Sequence, residues 1–184
     1  MPRYVAFLRA INVGGHHKVT MDQLRRTFEA LGFKDVETFI ASGNVIFEAP
    51  SKNVSALEQR VEDHLRKSLG YEVKTFIRTD VEVAAIARHK PFTAAQRQSA
   101  GALCVGFLAE ALEAEGRKSL MTLRTEIDDF HLHGREVYWL CKKRQGESTF
   151  SNLRFEKIVK ARTTFRGVNT IERLATKYRP KSEV

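Results

Sequence analysis

Apolar positions along the chain follow two rhythms, and the order of the rhythms occurs twice. Tyr4–Leu8 reads as a strand. From Thr20 to Leu31 the apolar residues Met21, Leu24, Phe28 and Leu31 recur at the steps of one helix face. Thr20 with Gln23 fits a capping box, Val19 can pack on Leu24, and Gly32 supplies the stop. Val36–Ala41 and Val45–Phe47 are predicted strands joined through Ser42-Gly43-Asn44, a hairpin signal. Ser55 with Glu58 is expected to cap a helix that buries Leu57, Val61 and Leu65. Glu72–Arg78 reads as a strand, and Thr79 with Glu82 as the start of a short helix through Arg88.

His89–Gly101 is polar and small, carries one proline and ends in glycine, as linkers do. The order then starts again. Ala102–Leu108 is a predicted strand like the first, and Glu110–Leu123 a helix weakened by Gly116. Glu126–Leu132 and Glu136–Cys141 are strands joined by His133-Gly134-Arg135. Phe150–Lys160 reads as a helix and Thr163–Phe165 as a short strand. Asn169–Tyr178 is a last helix, capped by Asn169 with Glu172 and burying Ile171, Leu174, Ala175 and Tyr178. Two rounds of β-α-β-β-α-β predict an α+β protein of two ferredoxin-like (α/β plait) units related by duplication. The expected division is a first unit over 1–90, a linker over 91–101, and a second unit over 102–184 with a basic C-terminal region. Each unit would hold helices on one face of a four-stranded antiparallel sheet, leaving the other face for its twin, another subunit or a ligand.

Composition narrows the class. Hydrophobic residues make up 42% of the 184 and charged residues 29%, which fits an ordered globular chain rather than a disordered one. The apolar runs are too short for a membrane span and no signal-peptide pattern opens the chain, so a cytoplasmic protein without a membrane partner is expected. Cys104 and Cys141 sit in apolar strand-like runs and read as buried free thiols. The net charge of +9 is uneven: Lys142–Lys181 carries 12 Lys/Arg against 3 Asp/Glu, leaving 19 of each elsewhere. A basic field confined to the last quarter attracts phosphates, nucleic acid or acidic partners, and is equally consistent with a solvated surface.

Three stretches carry candidate chemistry. Between the first strand and first helix stand Arg9, Asn12, Gly14, Gly15 and Lys18. Paired glycines let backbone N–H groups approach an anion, an Arg can fork onto a phosphate or carboxylate, and a helix start adds partial positive charge. The stretch lacks the Gly-Lys-Ser/Thr spacing of a nucleotide-triphosphate loop. Ser42, Gly43 and Asn44 suit a tight turn, and no nucleophile elbow surrounds Ser42. At Thr163–Thr170 a strand delivers Arg166 beside a helix start at Asn169 and Thr170, a ready anion site inside the basic quarter. For each stretch the competing reading is a turn or cap with no ligand.

The histidines point less clearly. His131 and His133 share one face of a strand and could ligate a metal, but no third ligand is evident, so no metal is expected. His16 and His17 lie in the glycine stretch, where one could serve as a near-neutral acid or base. Arg154, Lys157, Lys160 and Arg162 cluster with aromatic residues as nucleic-acid surfaces do, although Phe155, Ile158 and Val159 look like a buried stripe and no RNA-recognition signature is present.

The stretches Phe7–Phe47, Glu136–Leu140, Phe150–Asn152 and Thr163–Leu174 together resemble the bacterial domain-of-unknown-function 1697 family. Its members carry Arg-x-Ile-Asn-Val-Gly-Gly, here Arg9–Gly15, then a helix ending Leu-Gly-Phe, then Ser-Gly-Asn-Val, here Ser42–Val45. Near the end they carry Thr-x-Arg-x-x-Asn-Thr, here Thr164–Thr170. The resemblance covers nearly the whole chain and marks Arg9, Asn12, Gly14, Gly15, Lys18, Ser42, Gly43, Asn44, Arg166, Asn169 and Thr170. Gly167-Val168 stands where many relatives have Asn-Trp, so an aromatic that stacks on a ligand there would be missing from this chain. The resemblance implies paired α/β-plait units and brings no activity with it.

The functional expectation is a protein that binds an anionic ligand, whether a nucleotide, a phosphorylated metabolite or a nucleic-acid backbone. Arg9 and Arg166 would serve as forks, with Asn12 and Asn169 positioning the ligand. The alternative is a protein-interaction or homodimerisation module without small-molecule chemistry. No motif calls for a cofactor, and no nucleophile–base pair marks an enzyme.

Overall fold

In the computed structural model, which describes residues 1–11 and 18–180, the chain builds two four-stranded antiparallel sheets. Eight strands and seven α-helices lie among the described residues. The chain divides into one compact unit of Met1–Ala84 with Leu174–Val184, and a second of Ala85–Arg173.

The first unit contains β1 (Arg3–Leu8), α1 (Met21–Glu29), β2 (Lys34–Thr38), β3 (Asn44–Glu48), α2 (Val54–Leu69) and β4 (Thr75–Thr79), with the sheet in the order β2-β3-β1-β4. Tyr4, Ala6 and Leu8 of β1 alternate into a core with Leu24 and Phe28 of α1 and Leu57, Val61 and Leu65 of α2. Phe33 stacks on Phe47 there at 4.5 Å between ring centroids. The Thr20 hydroxyl accepts the Gln23 N–H at 3.0 Å, as the cap pattern predicts.

Two expectations need correction in this unit. Asn53, not Ser55, caps α2, its side chain accepting the Ala56 N–H at 3.0 Å. Glu58 instead accepts the Ile77 N–H at 2.9 Å, and Glu62 accepts the Thr75 N–H at 2.9 Å. β4 is an edge strand, and these glutamates satisfy donors that no neighbouring strand reaches. β2 ends at Thr38 rather than Ala41, because Ile40 takes φ 50° and leaves the ladder.

The second unit contains α4 (Ala94–Ser99), β5 (Ala102–Phe107), α5 (Ala114–Met121), β6 (Asp128–His133), β7 (Glu136–Cys141), α6 (Asn152–Val159) and β8 (Thr164–Gly167). Its sheet order, β6-β7-β5-β8, has the same pattern as the first. Phe130, Trp139, Cys104, Cys141, Leu120 and Phe155 pack in its core. Trp139 donates its indole N–H to the buried Asp128 carboxylate at 2.9 Å. Both cysteines are free and buried.

The chain passes between the units inside α3 (Asp80–Arg88) and inside α7 (Val168–Lys177). Thr79 and Glu82 cap α3 as predicted, with the Thr79 N–H on Glu82 Oε2 at 2.8 Å and the Glu82 N–H on Thr79 Oγ1 at 3.1 Å. α4 arises where the sequence suggests only a connection: Thr93 and Gln96 form a full capping box around it. Among the described residues no helix is long and apolar enough to cross a membrane.

Candidate functional site

Arg9 directly follows β1; its N–H donates to the Lys74 carbonyl at 2.9 Å and its side chain is half-buried. Lys18 is exposed just before the Thr20 cap. Asn12, Gly14, Gly15, His16 and His17 lie outside the described residues. Arg9 and Lys18 therefore flank the glycine stretch on its two sides.

The Ser42-Gly43-Asn44 turn is fastened to the start of that stretch. Gly43 accepts the Leu8 N–H at 2.8 Å and has φ +71°. A Cβ on Gly43 would stand 3.2 Å from Leu8 Cβ and 3.3 Å from Ile11 Cβ, so both the close approach and the backbone favour glycine. Asn44 is fully buried, and its Nδ2 donates to the Phe39 carbonyl at 3.0 Å and to Ser42 Oγ at 2.9 Å. These bonds give Asn44 and Ser42 a turn-forming role.

Arg166 is buried on β8, opposite Val105 of β5. Its Nη1 donates to Thr164 Oγ1 at 2.7 Å and to the Phe165 carbonyl at 2.9 Å. Burial pulls the guanidinium down to about 10. The first unit has a counterpart that sequence reasoning missed. Arg78 on β4 is fully buried opposite Val5 of β1, with Nη1 on the Ile77 carbonyl at 2.9 Å. Comparing Thr75–Thr79 with Thr164–Gly167 strand against strand would have found it. Asn169 and Thr170 lie in the first turn of α7, which begins at Val168 directly after β8. Asn169 is exposed and falls inside the helix, two positions past the cap position at Gly167, so it does not serve as the cap expected of it. Arg9 and Lys18 belong to the first unit; Arg166, Asn169 and Thr170 belong to the second.

The second unit also holds an open cavity of 520 Å³ between α5 and β6, lined by Arg117, Lys118, Met121, Arg124, Phe130, His131 and Leu132. Its polar lining is three cations and an imidazole, and no carboxylate-bearing residue lines it. Met121, Phe130 and Leu132 supply an apolar wall. Arg117 is held by Nε on the Leu112 carbonyl at 2.9 Å, and Arg124 by Asp129 at 2.8 Å and the Phe130 carbonyl at 3.1 Å. Lys118 is exposed. Sequence reasoning passed over these cations because they lie outside the basic quarter and in no motif. Only the packing of α5 along the edge strand β6 gathers them.

Arg154, Lys157, Lys160 and Arg162 are all exposed, on α6 and just beyond it. Lys160 is the left-handed C-cap of α6, with φ 58°.

Comparison with known proteins bears on the fold and the family. No curated protein matches the chain. Among solved structures, that of the conserved bacterial protein SP0830 from Streptococcus pneumoniae is similar, with a TM-score of 0.72 over 95% of this chain and 97% of that one, at 21% identity. At that identity the likeness speaks to the fold alone. The family model described as "Protein of unknown function (DUF1697)" matches residues 1–138, three quarters of the chain, and the protein thus belongs to the DUF1697 family.

Proposed function

We propose that this protein binds a small anionic ligand, and that the α5–β6 cavity of the second unit receives it. The observation that carries the reading is the lining. Three cations and an imidazole face a 520 Å³ space with an apolar wall and no lining carboxylate. Such a site suits a ligand that joins a phosphate or carboxylate to an apolar body. Arg117 and Arg124 are braced by backbone carbonyls, which lowers the cost of ordering them around an anion. Arg9 and Lys18, with Asn12, Gly14 and Gly15, remain a second candidate place for the same chemistry in the first unit. There the support is the pattern of residue types.

We also infer that both units are ferredoxin-like and arose by duplication. The matching strand orders, and a buried arginine opposite a valine on the fourth strand of each unit, support this reading. Likewise, the exposed Arg154, Lys157, Lys160 and Arg162 support nucleic-acid binding as a weaker form of the anion reading.

A thermal-shift screen of inorganic phosphate, nucleotides, sugar phosphates and aromatic carboxylates tests the proposal. A ligand present at about 100 times its dissociation constant stabilises by about 2.7 kcal/mol. The double variant Arg117→Ala/Lys118→Ala should abolish the shift, and Arg9→Ala/Lys18→Ala should leave it intact. The reverse pattern would move the site to the glycine stretch. No shift with any anion would sink the reading.

A further inference from the structure

The donors around the α5–β6 cavity come from three parts of the second unit. Arg117 and Lys118 are neighbours on α5, about 100° apart around the helix. Arg124 lies beyond the end of α5, and His131 stands on β6. The bond from Arg117 to the Leu112 carbonyl uses Nε, and the bonds of Arg124 to Asp129 and the Phe130 carbonyl use Nε and Nη2. A guanidinium has five N–H donors, so each arginine is braced by these bonds and still has donors to offer. Asp129 Oδ1 also accepts the Phe130 N–H at 2.8 Å, which fixes the carboxylate against its own strand and beside Arg124. Arg117, Lys118 and Arg124 bring three positive charges and Asp129 offsets one, so an excess of two remains without counting His131. Among the described residues that line the cavity, no side chain carries a hydroxyl, an amide or a carboxylate. Met121 and Leu132 are half-buried there and present apolar surface.

We propose that this cavity selects the dianionic phosphate monoester of an apolar alcohol or phenol, over carboxylates, sulfate esters and the phosphates of sugars and nucleosides. The inference rests on the anion reading of the cavity and goes further by naming the chemical class. A phosphate monoester, with its second pKa at about 6, carries nearly two negative charges at neutral pH. That charge matches the excess of two, whereas a carboxylate or a sulfate ester brings only one. The terminal oxygens of a phosphate point toward the corners of a tetrahedron. They can accept from α5, from Arg124 and from β6 together. A carboxylate has two oxygens in one plane, which a single arginine fork serves. The body of the ligand is selected by what the lining lacks. Sugar hydroxyls need acceptors as well as donors, and cations supply none. A polyol lying on Met121 and Leu132 would leave hydroxyl hydrogens unpaired, at a cost that an apolar body does not meet. Arg117, Lys118 and Arg124 are exposed, so water and salt screen the attraction and the selection is strongest at low ionic strength.

The test is a ligand-observed NMR titration of the full chain at pH 7.5 and low salt with four probes: phenyl phosphate, phenyl sulfate, benzoate and glycerol phosphate. Phenyl phosphate should bind about tenfold tighter than phenyl sulfate, which has the same shape and one charge fewer. Benzoate and glycerol phosphate should also bind more weakly than phenyl phosphate. Lys118→Gln removes one exposed charge and keeps the fold. It should weaken the dianion more than the monoanion, so the ratio of the two affinities falls. Asp129→Asn keeps an acceptor for the Phe130 N–H and removes a negative charge, so it should raise the same ratio. Equal affinity for phenyl phosphate and phenyl sulfate would overturn the selection for a dianion and leave the anion reading standing. Glycerol phosphate binding as well as phenyl phosphate would overturn the selection for an apolar body. A ratio unmoved by both variants would place the selection outside this cavity and overturn the inference. Binding of none of the four probes would remove the anion reading together with it.

Discussion

Glu58 of α2 accepts the backbone N–H of Ile77 on β4 at 2.9 Å, so a helix side chain completes the hydrogen bonding of a sheet edge. Glu58 is 7% exposed, and Glu62 repeats the arrangement one turn later with Thr75. Glu58→Ala would leave the Ile77 amide unpaired in a buried place. We expect a loss of about 1.5–3 kcal/mol, the range for hydrogen bonds to charged groups, read as a lower urea midpoint at constant slope. Glu58→Gln keeps an acceptor and should lose less. Equal losses in the two variants would mean that packing, not the hydrogen bond, holds this edge.

Gly101 and Gly146 make a matched pair. A Cβ on Gly101 would overlap the Lys143 backbone carbonyl, whereas one on Gly146 meets nothing within 4 Å. Gly101→Ala should therefore cost about 1–3 kcal/mol through forced backbone movement. Gly146→Ala should stay within about 0.5 kcal/mol of the parent. Thermal unfolding of the two variants side by side decides the matter.

Cys104 is held in the thiol form by burial, which raises it to about 11, and Cys141 is raised in the same direction. At pH 8 the Cys104 thiolate is outnumbered roughly a thousandfold, and the thiolate is the reactive species. Native protein should be silent to a disulfide-exchange reagent, and both thiols should appear once guanidinium unfolds it. Rapid labelling of folded protein would show that the cores open locally.

Glu37 accepts the Tyr178 hydroxyl at 2.7 Å and the Lys177 ammonium at 3.1 Å, and the Tyr178 hydrogen bond is the main cause that lowers its pKa. A folded value below the ordinary 4.5 means that the stabilisation is complete above about pH 5 and fades as pH falls through the folded value. Tyr178→Phe should cost most near neutrality and progressively less under acid. Because the Glu37 side chain is 52% exposed, the effect should stay below about 1 kcal/mol. A gap between the two proteins that widens toward pH 3 would contradict the assignment.

If Arg154, Lys157, Lys160 and Arg162 contact a phosphate backbone, binding of single-stranded RNA should weaken with salt. Each neutralising substitution should then flatten the log–log slope by about 0.7 without changing sequence preference. Affinity that is absent at low salt, or independent of salt, would remove nucleic acid from the ligands of this chain.

The order of strands and helices was legible because its signals are local. Thr20 caps α1 and Thr79 caps α3 through residues three positions on, and the buried faces of α1 and α7 follow helical periodicity. The two hairpins that carry Gly43 and Gly134 were also signalled by residues that tolerate positive φ.

Local spacing misled where a distant donor competed. Ser55 and Glu58 have the spacing of a capping box, yet Glu58 faces an unpaired strand amide that becomes available only when β4 docks beside α2. Sheet pairing, not motif, likewise put Arg78 and Arg166 at matching positions, each opposite a valine. The cations of the α5–β6 cavity were invisible for the same reason. Sequence by itself determines periodicity, caps and turns, because these interactions span a few residues. Which polar groups meet across elements is decided only when backbone donors left over at strand edges, and the volumes left between packed elements, are known.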